Sequence, residues 1–268
     1  MTDVYSAPTS SLAEMSTPSG CNGSLEDGIA GRYRFSIGDF LSEAWKRVNG
    51  NKGTILLAVL FYVVALIVFA LVKDFALSQL GYSSDHNSRG FANLSFFGKA
   101  HEWFIKTMME IVEMCITLPL EAGMFMLGLK LSMSEQVEST EAFQYFDYMV
   151  QLLGTTLLKY LLIIIGTICF VFPGIYLAIA YSLTTPLVVE KNLSGWAALE
   201  ASRKAITHNW FAYFFLYVGF ALILILSVVP ALIGWIWIAP MGFLLSGIVY
   251  RTIFGYEGKP HTAVSAAV

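Results

Sequence analysis

Two long runs, residues 152–190 and 210–250, carry between them only two Lys, Arg, Asp or Glu side chains, Lys159 and Glu190. A bilayer core takes about 20 helical residues. Each run is about twice that length and has to fold back on itself. Proline marks where: Pro173-Gly174 in the first run and Pro230 in the second. Proline interrupts a continuing helix and suits the opening of a new one. Unbroken helices would be about 60 Å long, twice the hydrocarbon thickness. Two tight hairpins are the better reading, with Pro173 and Gly174 as the first hairpin turn. Two apolar segments precede them, one closing at Lys73-Asp74 and one that carries acids. The pattern predicts an all-α, polytopic membrane protein with six transmembrane helices, near 54–72, 105–132, 152–172, 175–189, 210–229 and 231–250. The fourth is short, so a re-entrant half-helix is the alternative there.

Amphipathic segments stand before three of these spans. Ile37, Phe40, Leu41, Ala44, Trp45 and Val48 recur at helical spacing, with Asp39, Glu43, Lys46 and Arg47 on the other face. Ser36 and Asp39 form a loose capping box. Such a helix lies in the headgroup plane. The register Glu43-Ala44-x-Lys46-Arg47 returns as Glu200-Ala201-x-Arg203-Lys204, where Ser194 can cap and Trp196, Leu199, Ala205 and Ile206 supply the apolar side. A weaker copy covers 141–150. The chain therefore reads as three repeated units, each an interfacial helix and two spans, with Pro119, Pro186 and Pro240 in the second span of each.

Charge placement sets the orientation. With six spans, one side holds Arg32, Arg34, Lys46, Arg47, Lys52, Lys130, Lys191, Arg203, Lys204, Arg251 and Lys259. The other holds Lys73, Arg89, Lys99 and Lys106. Both termini are expected in the cytoplasm, with 74–104 as the main outer loop. Asn93-Leu94-Ser95 in that loop fits a short glycosylation acceptor pattern. Composition agrees with a membrane domain: 56% of residues are hydrophobic and 13% charged, against about 25% charged in soluble domains. A net charge of −3 argues against a nucleic-acid binder. Residues 1–31 lack Lys and Arg and are rich in Ser, Thr, Pro and Gly, so they read as a disordered acidic tail rather than a signal peptide. The membrane domain then covers 32–256 and a C-terminal tail 257–268. Cys21, Cys115 and Cys169 make no disulfide framework.

The charges inside the spans are the candidate chemistry. Lys106, Glu110, Glu113, Thr117 and Glu121 follow offsets of three and four, a stripe about 80° wide on the second span. Glu121 falls near the middle of the apolar run. Lys159 lies at a matching depth on the next span, about 10 Å from its cytoplasmic end. An intramembrane acid needs a partner, water or a proton, so a Glu121–Lys159 pair between adjacent helices is expected. The alternatives are a snorkelling Lys159 with a protonated Glu121, or a polar pathway through Glu110, Glu113, Glu121 and Lys159. Gly174, Ala178 and Ser182 form a small-residue stripe suited to close helix packing. No His or Cys spacing suits a metal, no phosphate or dinucleotide loop is present, and no nucleophile elbow occurs. Neither cofactor nor catalysis is expected.

The block from Phe172-Pro173-Gly174-Ile175-Tyr176-Leu177 through Pro186-Leu187-Val188-Val189-Glu190-Lys191-Asn192-Leu193 runs on through Ala197, Leu199, Ser202 and Arg203 to Asn209-Trp210. With Pro119-Leu120-Glu121-Ala122-Gly123 and Tyr250-Arg251, it resembles a group of uncharacterised bacterial six-helix inner-membrane proteins. A related membrane domain is fused to some glycerophosphodiester phosphodiesterases. The resemblance is best over 110–255. It implies a bacterial inner-membrane location and a six-helix fold, and no activity, because the phosphodiesterase catalytic domain has no counterpart here. The expected role is structural or accessory and non-enzymatic. The expected partners are the lipid bilayer and a second copy or another membrane protein. The alternative is a transporter of a small solute, ion or lipid that uses Glu121 and Lys159.

Overall fold

The computed structural model describes residues 23–50, 52–80, 96–135, 137–227 and 235–258. Among these residues the chain is helical and holds no strand. The helices are α1 (Leu25–Ile29), α2 (Ile37–Gly50), α3 (Lys52–Gln79), α4 (Phe96–Ser132), α5 (Met149–Cys169), α6 (Val171–Ala180), α7 (Thr184–Glu190), α8 (Gly195–Thr207), α9 (Trp210–Leu226) and α10 (Trp235–Phe254). Two 3₁₀ turns, Ser139–Phe143 and Phe146–Tyr148, link α4 to α5.

α3 shows what kind of bundle this is. It is apolar all round, which suits a buried core helix or a membrane span. It is not a core helix, because Leu60, Ile67, Leu71 and Phe75 are all exposed. Four helical runs are long and apolar enough to cross a membrane: Gly53–Gln79, Ala100–Ser132, Thr140–Cys169 and Val171–Glu190. α8 and α9 add a fifth if their 94° bend is taken as one broken span. α10 contributes a shorter apolar helix, Ile238–Phe254. The described residues therefore give four or five candidate spans where the hydrophobic pattern gives six. Pro230 and the Asn93-Leu94-Ser95 motif lie outside them.

Boundaries move for identifiable reasons. The acid-bearing span starts nine residues before its expected position, because nothing between Phe96 and Ile105 breaks a helix. The first hairpin turns at Phe170, which is extended (φ −162, ψ 148), so Pro173 is the third residue of α6 rather than its first. Proline at 173 gives no hydrogen bond to the Cys169 carbonyl and crowds it, so α5 stops there. Gly174 packs inside this hairpin: a Cβ on it would sit 2.0 Å from Thr167 Oγ1. Further along the expected packing stripe Ala178 is exposed, while Ser182 is half-buried with its hydroxyl oxygen enclosed. The third interfacial copy is a pair of 3₁₀ turns, not an α-helix. Residues 23–31, assigned to the tail by composition, hold α1, which Ser24 caps through the Asp27 N–H and which packs on α8 and α10.

The fourth span is broken at Tyr181–Leu183 into α6 and α7. Pro186 has no N–H for the Ser182 carbonyl, so the helix cannot run through. Ser202 of α8 bridges the gap. Its hydroxyl donates to the Ala180 carbonyl at 2.6 Å and accepts from the Leu183 N–H at 3.3 Å. Ser202 is 0% exposed, so no water can replace it. Ser202→Ala orphans two buried backbone groups, and we expect it to lower stability by about 2 kcal/mol, read as a fall in the thermal midpoint of the detergent-solubilised protein.

The core lies where α4, α10, α2, α7 and α8 meet. α4 and α10 form the closest helix pair. Their backbones approach at Gly128 and Gly247: a Cβ on Gly128 would lie 2.3 Å from the Phe243 carbonyl oxygen, and one on Gly247 2.6 Å from Leu129 N.

Candidate functional site

At one end of the bundle, α2 meets the C-terminal ends of α4 and α10. The last carbonyls of a helix lack partners within it, and cations are favoured there. Two arginines from other helices cap α4. Arg251 of α10 is 6% exposed. It donates to the Ser132 carbonyl and, from its other amino nitrogen, to the Glu43 carboxylate of α2. Arg47 holds Glu43 at 2.7 Å and reaches Ser134 Oγ at 2.7 Å and the Leu131 carbonyl at 3.4 Å. Burial raises the Glu43 carboxyl, but the two guanidinium groups outweigh it and hold the group below the usual carboxylate range.

The same end carries more ties. Lys130 pairs with Glu141 of the first 3₁₀ turn at 2.5 Å. Glu190, the last residue of α7, accepts from Tyr250 Oη at 2.8 Å and from the Glu257 N–H at 2.9 Å. Lys191 lies 3.4 Å from Glu190 and 2.9 Å from Glu257. Opposite charges here meet across α2, α4, α7, α10 and the connecting turn. This charged collar locks helix ends together. Among the described residues no group of three His, Cys, Asp or Glu side chains could hold a metal.

The stripe on α4 behaves differently. Lys106 pairs with Glu102, one turn away and also buried, at 2.7 Å. Glu110 is exposed. Glu113 pairs with Lys73 of α3 at 2.5 Å. Glu121 is exposed on the side of α4 that faces Tyr62 of α3 and Lys159 of α5. Glu121 and Lys159 sit in each other's field but do not come within ion-pairing distance. Lys159 is half-buried, with its ammonium 5.4 Å from the centre of the Tyr160 ring. The stripe is thus not one connected polar path. It is two local ion pairs, an exposed Glu110, an exposed Glu121, and a half-buried Lys159 on the face of α5 that carries the buried Leu152, Thr155, Thr156 and Gly166.

A cavity of about 330 Å³ opens between α9 and α10. Leu216, Phe220, Leu224, Phe243, Leu245 and Val249 line it, and Tyr217 and Ser246 are its polar members.

Sequence reasoning singled out the α4 stripe and passed over the collar. Its signals were present: the Glu43…Arg47 register, the Glu190-Lys191 pair and Tyr250-Arg251 all stood out as pattern. Nothing in one sequence joins positions as distant as Glu43 and Arg251. Comparison with protein-family models, with curated proteins and with solved structures finds no match.

Proposed function

We propose that this chain is an integral membrane protein of the bacterial inner membrane with a structural or accessory role and no catalysis of its own. The observation that carries the membrane reading is the outward-facing apolar surface of α3, α5, α6 and α9, which exposes residues such as Leu71, Ile168, Phe172 and Leu226. Water would oppose so large an apolar face; acyl chains would not. In this reading α9 and α10 each cross, giving six spans, and the charged collar lies in the cytoplasmic headgroup region with both termini. α2 and α8 lie at that level too. Each buries one face (Phe40, Ala44 and Val48; Ala198, Ala205 and Ile206) and turns a tryptophan outward, Trp45 at 50% and Trp196 at 61% exposed. Tryptophan favours the membrane interface.

The accessory role rests on the placement of the charged groups. The collar charges meet opposite charges, and the acids of α4 are paired or face outward rather than lining a passage. Handling of a lipid is a second reading with one observation in its favour, the apolar cavity between α9 and α10. Labelling of single cysteines from each side of the membrane tests the placement. Positions on α3 and α5 should be protected, and the collar should react only from the cytoplasmic side.

A further inference from the structure

α9 and α10 follow each other in the chain but do not pack closely. α10 is drawn onto α4, where Gly247 and Gly128 let the two backbones meet. Toward α9 it presents small residues, Ala239, Gly242 and Ser246, at helical spacing. What remains between α9 and α10 is the cavity of about 330 Å³. Its lining runs from Leu216 to Leu224 on α9 and from Ala239 to Val249 on α10. At 1.5 Å per residue this is a slot about 12–15 Å long, running with the helices. That length is about half of a 30 Å hydrocarbon core, the depth of one leaflet.

The slot has a polar end and an apolar end. Its polar members, Tyr217 and Ser246, lie toward the collar. Ser246 is about 8 Å from Arg251 along α10. The Tyr217 hydroxyl lies 3.4 Å from that of Tyr213, one turn nearer the start of α9. Beyond them Phe220, Leu224, Ala239, Gly242 and Phe243 offer no polar side chain. Water there would lack the two to four polar partners it needs, and an empty slot would leave its walls without contacts. Tyr217 is 38% exposed, and Val218, Leu222 and Ile225 beside the slot belong to the outward apolar face of α9. The slot therefore opens onto the surface that the membrane reading places in lipid.

We infer that the slot holds one acyl chain of a phospholipid from the cytoplasmic leaflet. Its ester end lies by Tyr217 and Ser246, and its methyl end points toward Leu224 and Ala239. The inference rests on the membrane reading above, in which the collar lies at the cytoplasmic headgroups. Size selects a single chain: about 330 Å³ is at the low end of ligand cavities, which hold about 300–1,000 Å³. The second chain and the headgroup stay outside. Length selects a lipid chain over a protein side chain, which would fill only part of the slot.

Native mass spectrometry and thermal unfolding of the purified protein, after a wash in excess detergent, test it. Wild type should retain a phospholipid. Added long-chain phospholipid should raise its thermal midpoint, because a ligand of the folded state stabilises that state. Ser246→Leu and Ala239→Leu grow into the slot. Each should cut the retained lipid about tenfold or more, lose the thermal response and stay monodisperse, since the added atoms enter open space. Either serves if the other does not accumulate. Ala221→Leu, on the exposed face of α9 outside the slot, should behave as wild type. A short-chain phospholipid with the same headgroup should not raise the midpoint. A wild type that neither retains nor responds to lipid would overturn the proposal. So would filled variants that behave as wild type, a short-chain lipid that works equally well, or a free fatty acid as the retained species. Filling that changes the oligomeric mass instead of the lipid content would place a second copy in the slot and overturn it too. Protein that stays monodisperse once detergent is removed would instead sink the membrane reading itself.

Discussion

Arg251→Met is expected to destabilise the folded protein by about 3 kcal/mol, the cost of removing one member of a buried charge pair. The methionine fills similar space but leaves the Ser132 carbonyl without its donor and Glu43 with Arg47 alone. Arg251→Lys should recover only part of the loss, because one ammonium cannot reproduce a planar fork aimed at two acceptors. Arg203→Met is the control. Arg203 pairs with Glu200 one turn away on α8 at 2.8 Å, with about a third of each side chain exposed, and should cost about 0.5 kcal/mol. The comparison is made by thermal unfolding in detergent. It carries a sign for pH. The Glu43 carboxyl lies below its ordinary value of 4.5 when folded, so its stabilisation is present above that value and fades as pH falls through the folded one. The gap between wild type and Arg251→Met should narrow in acid, and a gap that widened would contradict the collar.

Gly247→Leu should prevent assembly of the bundle. An added Cβ alone would come within 2.7 Å of Gly128 C and Leu129 Cα, and Gly128 faces the Phe243 backbone just as closely. The obstructing atoms are backbone, so no side chain can rotate aside. Overpacking of this kind costs about 1–3 kcal/mol for small additions, which is the expectation for Gly247→Ala. Leucine has to part α4 from α10 altogether. Gly219 on α9 supplies the opposite case. Nothing lies within 4 Å of its would-be Cβ, so Gly219→Ala should be neutral or gain up to about 1 kcal/mol from helix propensity. Size-exclusion profiles of the solubilised variants read both outcomes: a monodisperse peak for Gly219→Ala and aggregate for Gly247→Leu.

The helical class and the apolar segments were legible from the sequence because runs of about 40 residues nearly free of charge are too long for one core helix or one crossing and have to fold back. Their ends were less so. Proline at 173 announced a turn, but its effect falls on the residues before it, so the break is at Phe170. Pro186 stood out only as the proline of a repeated unit, whereas the outcome is a broken helix that needs a hydroxyl from α8, and Ser202 looks like any other serine in the sequence. The small residues chosen for packing were those at regular spacing, Gly174, Ala178 and Ser182. Those that set the closest helix crossing, Gly128 and Gly247, lie on helices distant in sequence. The same distance hid Glu43 from Arg251. Matching Glu121 to Lys159 by depth brought the right pair of helices together, but depth says nothing about the direction a side chain takes around its helix, and Glu121 turns outward.

The proposed placement puts the apolar faces in lipid and the charged collar at the cytoplasmic headgroup region. The direct measurement is labelling with a membrane-impermeant maleimide in a background with Cys21, Cys115 and Cys169 replaced by serine. Ile67→Cys and Leu161→Cys, both exposed in the fold, should resist labelling from either side. Ser134→Cys at the collar should react only when the cytoplasmic side is opened, and His101→Cys should react in intact cells. Rapid labelling of Ile67→Cys or Leu161→Cys, or reaction of Ser134→Cys and His101→Cys from the same side, would contradict it.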